Sequence, residues 1–318
     1  MPKHLLVCAA GGHLKQLFAL ADRIGIAPED QQWVTYDSAL SRSILEGRDT
    51  VFAPYTAPRG AIGTTRSILL ARSMLKEREY VSAISTGAIL GVAFLPLAAR
   101  RGVSAHYIES AARADSPSMS GRILARDRKV HTYTQYPAWA DERWQYRGSI
   151  FDSYAPGPAM PGREVKKVVV TVGTTESYGF RRLFDKLVPM LSGLDVLWQV
   201  GKTDVSDLGI DGRERLPHDD LKAAVRDADL VITHSGTGSA LTAMDYGKHP
   251  VLVPRLKQFN EHVDSHQVEI AKELSRRGLA TLCHVEDLDW TVFDAAVKQS
   301  VRDEPNAPRI VLDGLRLD

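Results

Sequence analysis

The chain has 318 residues, 44% hydrophobic and 25% charged, with 40 Lys plus Arg against 39 Asp plus Glu. This is ordinary globular composition, long enough for two domains that each bury a core, and the near-zero charge excludes the global basic excess of a nucleic-acid binder. The halves differ: residues 1–160 hold 19 basic and 14 acidic side chains, net +5, while 161–318 hold 21 and 25, net −4, so the first half suits an anionic partner or surface.

Taken in order, strand-like and helix-like runs alternate. Strands are predicted at 5–9, 33–36, 51–54, 81–85, 104–108 and 130–134, with helices at 15–23, 63–78 and 88–101 and a partly helical run over 113–128. Residues 150–166, with three prolines, two glycines and no apolar period, read as a linker. The pattern then restarts, with strands at 168–172, 196–200, 230–233, 251–253 and 280–282 and helices at 180–191, 221–227, 239–246, 266–277 and 289–301. Such alternation is the signature of an α/β protein with parallel sheets. Both halves begin with strand, glycine turn and helix, which predicts two Rossmann-like domains, 1–155 and 156–318, facing each other across a cleft with ligands at the strand ends.

Cys8 and Cys283 each sit in an apolar run, as buried thiols of a reducing compartment do. The N-terminus becomes glycine-rich too early for a signal peptide. Residues 81–99 carry no charge, but Ser82, Ser85, Thr86, Gly87 and Pro96 divide them into a buried strand, turn and helix rather than a membrane span.

The stretch around which the chain is organised is 233–267. A β-branched run ends in His234-Ser235-Gly236-Thr237-Gly238, followed by Ser239 and a helix. Glycines that open a helix after a strand outline an anion site, because the first helical N–H groups have no internal partner and the helix dipole favours negative charge there. The same residues also suit plain close packing of helix on strand. Gly173-Thr174-Thr175 repeats the arrangement at the first strand of the second half.

In the first half, Gly11-Gly12-His13 ends the first strand, where a neutral imidazole can serve as general base or simply cap a helix. A nicotinamide site would use this turn with Asp37, but the third glycine of GxGxxG is missing. Glu109, just past a strand end with Arg113 four residues on, is either a base or hydroxyl-orienting group or half of a loop ion pair. Residues 261–267 hold Glu261, His262, His266 and Gln267. The two histidines are four apart, yet no HExxH accompanies them, so a polar loop reaching toward a sugar explains the mix better than a metal. Between Asp49 and Glu77 no acid occurs, while Arg59, Arg66, Arg72 and Lys76 do, along a helix with Ile68, Leu69, Leu70, Met74 and Leu75. That helix has the makings of an anionic-membrane contact, or of a solvated basic face.

Several motifs together resemble a glycosyltransferase family. VTVGTT at 170–175, THSGTGS at 233–239 and HQVEIAKEL at 266–274 look like the catalytic subunit of the eukaryotic two-subunit enzyme that adds the second N-acetylglucosamine to the dolichol-linked oligosaccharide. GGHLKQL at 11–17, STGA at 85–88, YIESAAR at 107–113 and SGRILA at 120–125 look like its membrane-recruiting partner subunit. Val253-Pro254-Arg255 and the run 261–267 are similar to bacterial exopolysaccharide glycosyltransferases in which the two parts are paired or fused; the transferase that makes lipid II is a more distant relative of the same family 28 type.

The resemblance implies a GT-B fold and an inverting hexosyltransferase that moves a sugar from a UDP-sugar to a polyprenyl-diphosphate-linked saccharide. It also implies no metal and no cofactor beyond the donor substrate, and a cytoplasmic, peripheral place at the inner face of the plasma membrane. Gly173, Thr174, Thr175, His234, Ser235, Gly236, Thr237, Gly238 and Ser239 would hold the donor, contacted also by His266 and Gln267. His13 or Glu109 would be the base, with Gly11, Gly12 and Arg113 on the acceptor side. Many relatives place a ribose-gripping glutamate where this chain has Thr242, which moves that task to another residue such as Glu261 or changes the nucleotide preference. The partner subunit's N-terminal membrane helix has no counterpart here, so attachment falls to the helix near Arg66 or to a partner. Two readings of other classes remain open: a catalytically idle nucleotide-sugar-binding scaffold of a polysaccharide assembly complex, and a UDP-sugar epimerase. The sugar, the acceptor and its linkage, and the oligomeric state stay open.

Overall fold

The computed structural model describes residues 3–55, 61–162, 164–173, 178–262 and 266–317, with the backbone alone at 61–62. The chain divides into two compact units, Met1–Ile150 with Pro308–Asp318, and Phe151–Ala307.

The first unit holds β1 (Lys3–Cys8), β2 (Gln31–Tyr36), β3 (Thr50–Ala53), β4 (Tyr80–Gly87), β5 (Ser104–Ile108), β6 (Val130–Thr134) and β7 (Trp144–Tyr146), all parallel in the order β3-β2-β1-β4-β5-β6-β7. Its helices are α1 (Gly12–Ile24), α2 (Ala39–Ile44), α3 (Ala61–Glu77), α4 (Ala88–Arg100) and α5 (Met119–Leu124). Strands covered on both faces need continuous apolar runs, and β1 shows one: Leu5, Leu6, Val7 and Cys8 are fully buried. On α1 the helical period places Leu14, Leu17, Ala21 and Ile24 against the sheet, and Gly25, in the left-handed region at φ 90°, ends it by donating to the Ala21 and Asp22 carbonyls.

The second unit contains β8 (Tyr154–Pro156), β9 (Lys167–Thr171), β10 (Asp195–Gln199), β11 (Gly212–Arg213), β12 (Leu230–Thr233), β13 (Val251–Leu252), β14 (Thr281–Leu282) and β15 (Val301–Asp303). Six of these form a parallel sheet ordered β11-β10-β9-β12-β13-β14. Its helices are α6 (Arg181–Met190), α7 (His218–Asp227), α8 (Thr237–Asp245), α9 (His266–Arg276) and α10 (Trp290–Ala296).

Both sheets run outward from their first strand and then reverse, the doubly wound order of a Rossmann fold. The reversal lies between β1 and β4 in one unit and between β9 and β12 in the other. Ligands of such sheets bind beyond the carboxyl ends of the strands at that point, and there the glycine turns after β1, β4, β9 and β12 stand.

The boundary differs from the expected division at 155. Residues 154–156 form a strand, β8, paired antiparallel with β15, and Asp152 is paired with Arg277 at 2.6 Å, so this part of the presumed linker belongs to the second unit. The tail, unreadable in the sequence, rejoins the first unit: Ile310 and Leu312 are buried, the Ile310 amide donates to the Arg23 carbonyl, and Arg147 pairs with Asp313 at 2.8 Å. The predicted closing helix over 289–301 is shorter, since β15 takes its end. Among the described residues no helix is long and apolar enough to cross a membrane.

Three buried histidines are held neutral. Burial pushes His106 and His234 down to about 3, with His131 and Arg255 respectively adding to it, and pushes His249 to about 4. The unfolded chain therefore binds more protons below the ordinary histidine value of 6.5, and stability is lost as pH falls through that value. We expect stability to fall by about 2 kcal/mol for each of the three between pH 7 and pH 5. Urea unfolding at the two pH values measures it.

Candidate active site

In the second unit, β12 hands over at His234 to a turn in which Gly236 caps α8 without a side-chain hydrogen bond. The sequence had placed the helix start at Ser239; it starts at Thr237, so Thr237, Gly238 and Ser239 form its first turn and present the unpaired N–H groups. Gly173 has φ 70°, and a Cβ on it would stand 2.6 Å from His234 Cε1. A Cβ on Gly236 would overlap the same ring. Both glycines are therefore required for the imidazole to lie between the β9 and β12 turns.

Around this turn polar groups are buried without partners. Ser235 Oγ and Thr237 Oγ1 have no hydrogen-bond partner among the described residues, although the two residues are 0% and 6% exposed. Arg255 is fully buried. Its Nη2 donates to the Val172 carbonyl at 2.9 Å and its guanidinium lies over Phe180, while Nε and Nη1 have no partner among the described residues. Burial lowers its pKa to about 10, so it remains a cation at pH 7, and its charge adds to burial in keeping His234 neutral. Unpaired buried donors are costly, and a cation most of all. With the unpaired amides at the start of α8, these buried polar atoms are groups suited to an anion.

The other predicted donor residues divide. Gln267 Oε1 accepts from the Arg255 amide at 3.0 Å, so Gln267 braces the loop that carries Arg255. Glu261 is taken up: Arg182 donates to both its oxygens at 2.9 and 3.1 Å, and the Leu256 amide adds a third bond. Thr242 is buried and its hydroxyl bonds back to the Gly238 carbonyl within α8. His262 and His266 stack edge to face at 4.7 Å. No group of three or more His, Cys, Asp or Glu able to hold a metal occurs among the described residues. Thr174 and Thr175 lie outside the described residues. A pocket of about 440 Å³ borders Glu261, between Arg182, Lys202, Thr203 and Phe259.

In the first unit, the turn after β1 places His13 in the first turn of α1. Its Nδ1 lies 2.9 Å from the Thr86 carbonyl, and Thr86 Oγ1 donates back to the His13 carbonyl at 2.9 Å. A carbonyl only accepts, so Nδ1 carries the proton and Nε2 the lone pair. Nε2 has no partner among the described residues, and the ring is half-buried. Burial, opposed by the Thr86 bond and reinforced by Arg113, lowers the His13 pKa below 6.5. Gly87, at φ 128°, gives the ring its room: a Cβ there would lie 3.0 Å from His13 Cε1. Gly11, at φ 83°, caps α1. Gly12 opens α1 and is exposed.

Glu109 is built in differently. It is 1% exposed, and Oε1 accepts from the Tyr107 hydroxyl and the Ser110 amide, both at 3.0 Å. Oε2 accepts from the Ser118 amide at 2.8 Å and its hydroxyl at 3.0 Å. Burial raises its pKa, against the pull of these bonds. The carboxyl thus ties the end of β5 to Ser118, the N-cap of α5. Gly121 in α5 packs directly on it; a methyl there would overlap Glu109 Oε2 and lie 2.9 Å from Trp144. Gly121→Ala is expected to cost about 1–3 kcal/mol of stability, read as a lowered melting temperature.

The basic helix predicted over 63–78 is α3. Its Ile68, Leu70, Met74 and Leu75 join the core, which leaves Leu69 exposed among Arg66, Arg72 and Lys76; Arg59 lies outside the described residues. Met119, Arg122, Ile123 and Arg126 are exposed on and just beyond α5. The apolar face read as membrane-directed is therefore a core face, and the exposed apolar and basic groups come from two helices that both pack on α4.

Residues 167–307 match the glycosyltransferase family 28 C-terminal domain. The chain is 51% identical over 59 residues, 19% of its length, to the UDP-N-acetylglucosamine transferase subunit ALG13 of Yarrowia lipolytica, of which it spans 28%. It is 28% identical over 318 aligned residues, covering 92% of this chain and 86% of the relative, to the UDP-N-acetylglucosamine--N-acetylmuramyl-(pentapeptide) pyrophosphoryl-undecaprenol N-acetylglucosamine transferase of Synechococcus sp. CC9311. In fold it is similar to the crystal structure of Acinetobacter baumannii MurG, with a TM-score of 0.58 at 18% identity, over 92% of this chain and 89% of that one.

Proposed function

From a chain whose fold is GT-B and whose residues 167–307 form a glycosyltransferase family 28 C-terminal domain, we propose an inverting transfer of a sugar from a UDP-sugar to a polyprenyl-diphosphate-linked saccharide. The observation that carries the reading is the set of buried polar atoms of Arg255, and of Ser235 and Thr237 at the uncapped start of α8, that have no partner among the described residues. A nucleoside diphosphate supplies the negative charge these groups lack. The relatives' names make UDP-N-acetylglucosamine the first donor to test.

In this mechanism the acceptor hydroxyl passes its proton to His13 Nε2 as its oxygen bonds to the anomeric carbon. The bond from that carbon to the diphosphate breaks on the opposite side, and UDP leaves with the charge stabilised by Arg255 and the α8 amides. Thr86, holding Nδ1–H, fixes the tautomer that leaves Nε2 free to accept. Glu109 positions the acceptor-side loop. Gln267, braced against the Arg255 amide, keeps its side-chain NH₂ for the donor, and His266 stands beside it. Thr242 bonds back to the Gly238 carbonyl, while the bonds to Glu261 leave acceptor capacity on its Oε1, so ribose recognition would fall to Glu261 or to another group.

Acceptor-dependent release of UDP tests the proposal. UDP-N-acetylglucosamine, or another common UDP-sugar, should turn over with a polyprenyl-diphosphate saccharide; UDP binding without turnover supports the scaffold reading instead, and sugar conversion without acceptor an epimerase.

We place the enzyme at the inner face of the plasma membrane, in exopolysaccharide or glycolipid synthesis, attached through Leu69, Met119 and Ile123 with the arginines around them. Basic groups contribute about 1 kcal/mol each at an anionic surface. Arg66→Glu with Arg72→Glu is expected to weaken binding to phosphatidylserine-containing vesicles by more than about tenfold, as vesicle sedimentation would show. Equal sedimentation of both proteins removes this surface.

A further inference from the structure

Two glutamines are buried in the first unit behind the His13 turn. The buried side of α1 carries Leu14, Leu17 and Leu20, yet Gln16 is 2% exposed among them. A buried amide is costly unless its polar atoms are bonded, and those of Gln16 turn to one short segment just after β5. Its Oε1 accepts from the Ala111 amide at 2.8 Å, and its Nε2 donates to Ser110 Oγ at 3.1 Å. A backbone N–H only donates, which fixes the end of the amide that faces Ala111. Gln135, buried just beyond β6, supports the same segment from the other side: its Nε2 donates to the Glu109 carbonyl at 3.0 Å and its Oε1 accepts from the Ile150 amide at 2.9 Å.

The segment itself is a closed turn. The Arg113 amide donates to the Ser110 carbonyl at 2.8 Å, and the Ala112 amide to Ser110 Oγ at 3.2 Å. The grip of Gln16 on Ser110 and Ala111 therefore also sets where Arg113 stands. Gln16 lies three residues beyond His13, about one helical turn along the same side of α1. We infer that Gln16 is a positioning residue for sugar transfer: it clamps the Ser110–Arg113 turn to the start of α1 and so fixes Arg113 relative to the His13 imidazole. The assignment rests on His13 as the base proposed above.

Arg113 acts on His13 through its charge. Burial is the main cause of the lowered His13 pKa, and Arg113 adds to it. The other groups at this corner are the Thr86 carbonyl on Nδ1, Lys15 next but one along α1, and the Tyr107 hydroxyl across Gly87, which donates to Glu109. A turn set loose would take Arg113 from its place, and the His13 pKa would rise toward 6.5.

Titration of the His13 ring by nuclear magnetic resonance, its signal identified as the one absent from His13→Ala, tests this without any turnover. Gln16→Met should raise the His13 pKa, as should Arg113→Gln, and Gln16→Met placed in the Arg113→Gln background should add no further shift. Ser110→Ala removes one of the two bonds to Gln16 and keeps the other; it should give a smaller rise, and it carries the test if Gln16→Met does not fold. A lowered melting temperature with the titration unchanged, the result for a glutamine that only packs, overturns the assignment, as does full additivity with Arg113→Gln. Transfer separates the two readings. With both correct, kcat of Gln16→Met falls by about 10–100-fold, the effect of a displacement near 1 Å, and its acid limb moves up with the titration while UDP affinity holds. A shifted titration with the acid limb in place keeps the clamp and removes His13 as the base; an unshifted titration with an acid limb that follows His13 keeps the base and removes the clamp.

Discussion

Replacing His13 by alanine is expected to lower kcat for sugar transfer by about 10²–10⁴-fold while leaving UDP affinity unchanged, as for loss of a general base. The wild-type pH profile carries the same information. Because burial lowers the His13 pKa, the imidazole stays neutral to below pH 6.5, and activity should fall on the acid side only as pH drops under that value and Nε2 takes up a proton. Glu109→Gln distinguishes the other candidate. Both oxygens of Glu109 accept hydrogen bonds from Tyr107, Ser110 and Ser118, so an amide NH₂ in place of one oxygen would face donors and cost about 1–3 kcal/mol of stability. Its acid limb should stay where the wild type has it. A His13→Ala variant with unchanged kcat, or an acid limb that moves with Glu109→Gln, assigns the base to Glu109.

Arg255→Met should separate stability from donor binding. In the free protein the guanidinium is fully buried, with Nε and Nη1 unpartnered among the described residues. Replacement of a buried, incompletely paired charge by an apolar side chain of similar length is neutral or stabilising. The melting temperature of Arg255→Met should hold or rise. UDP affinity should fall by about 30–100-fold, the effect of about 2–3 kcal/mol for lost charge-assisted hydrogen bonds. A residue kept only for packing would show the reverse, with stability lost and UDP binding intact. Strain held at a site and relieved by ligand is the usual sign of function.

Much of this was legible in the sequence because it is local. A strand-like apolar run followed by Gly11-Gly12, Gly87, Gly173 or Gly236 announces a strand that stops and a helix that starts, and all four of these turns fall at the reversal points of the two sheets. What escaped depends on distant partners. Arg255 stands in the sequence only as part of the Val253-Pro254-Arg255 motif, and the fold buries its guanidinium over Phe180. Glu109 reads as a base, a hydroxyl-orienting group or half of a loop ion pair, and only the fold brings Ser118, nine residues on, to it. Glu261 was a candidate ribose ligand, and only the fold brings Arg182 of α6 to it. The apolar residues of α3 show a helical period, but a period does not tell whether its apolar face meets a core or a membrane. The return of the tail to the first unit rests on buried Ile310 and Leu312, two apolar residues in a stretch with no periodic pattern.

The configuration of the product tests the central proposal most directly. A single displacement driven by His13 with UDP departing from Arg255 and the α8 amides must invert the anomeric carbon, so an α-linked UDP-sugar should give a β-linked lipid saccharide, read by nuclear magnetic resonance. An α-linked product, or sugar altered or released without any acceptor, would contradict the account.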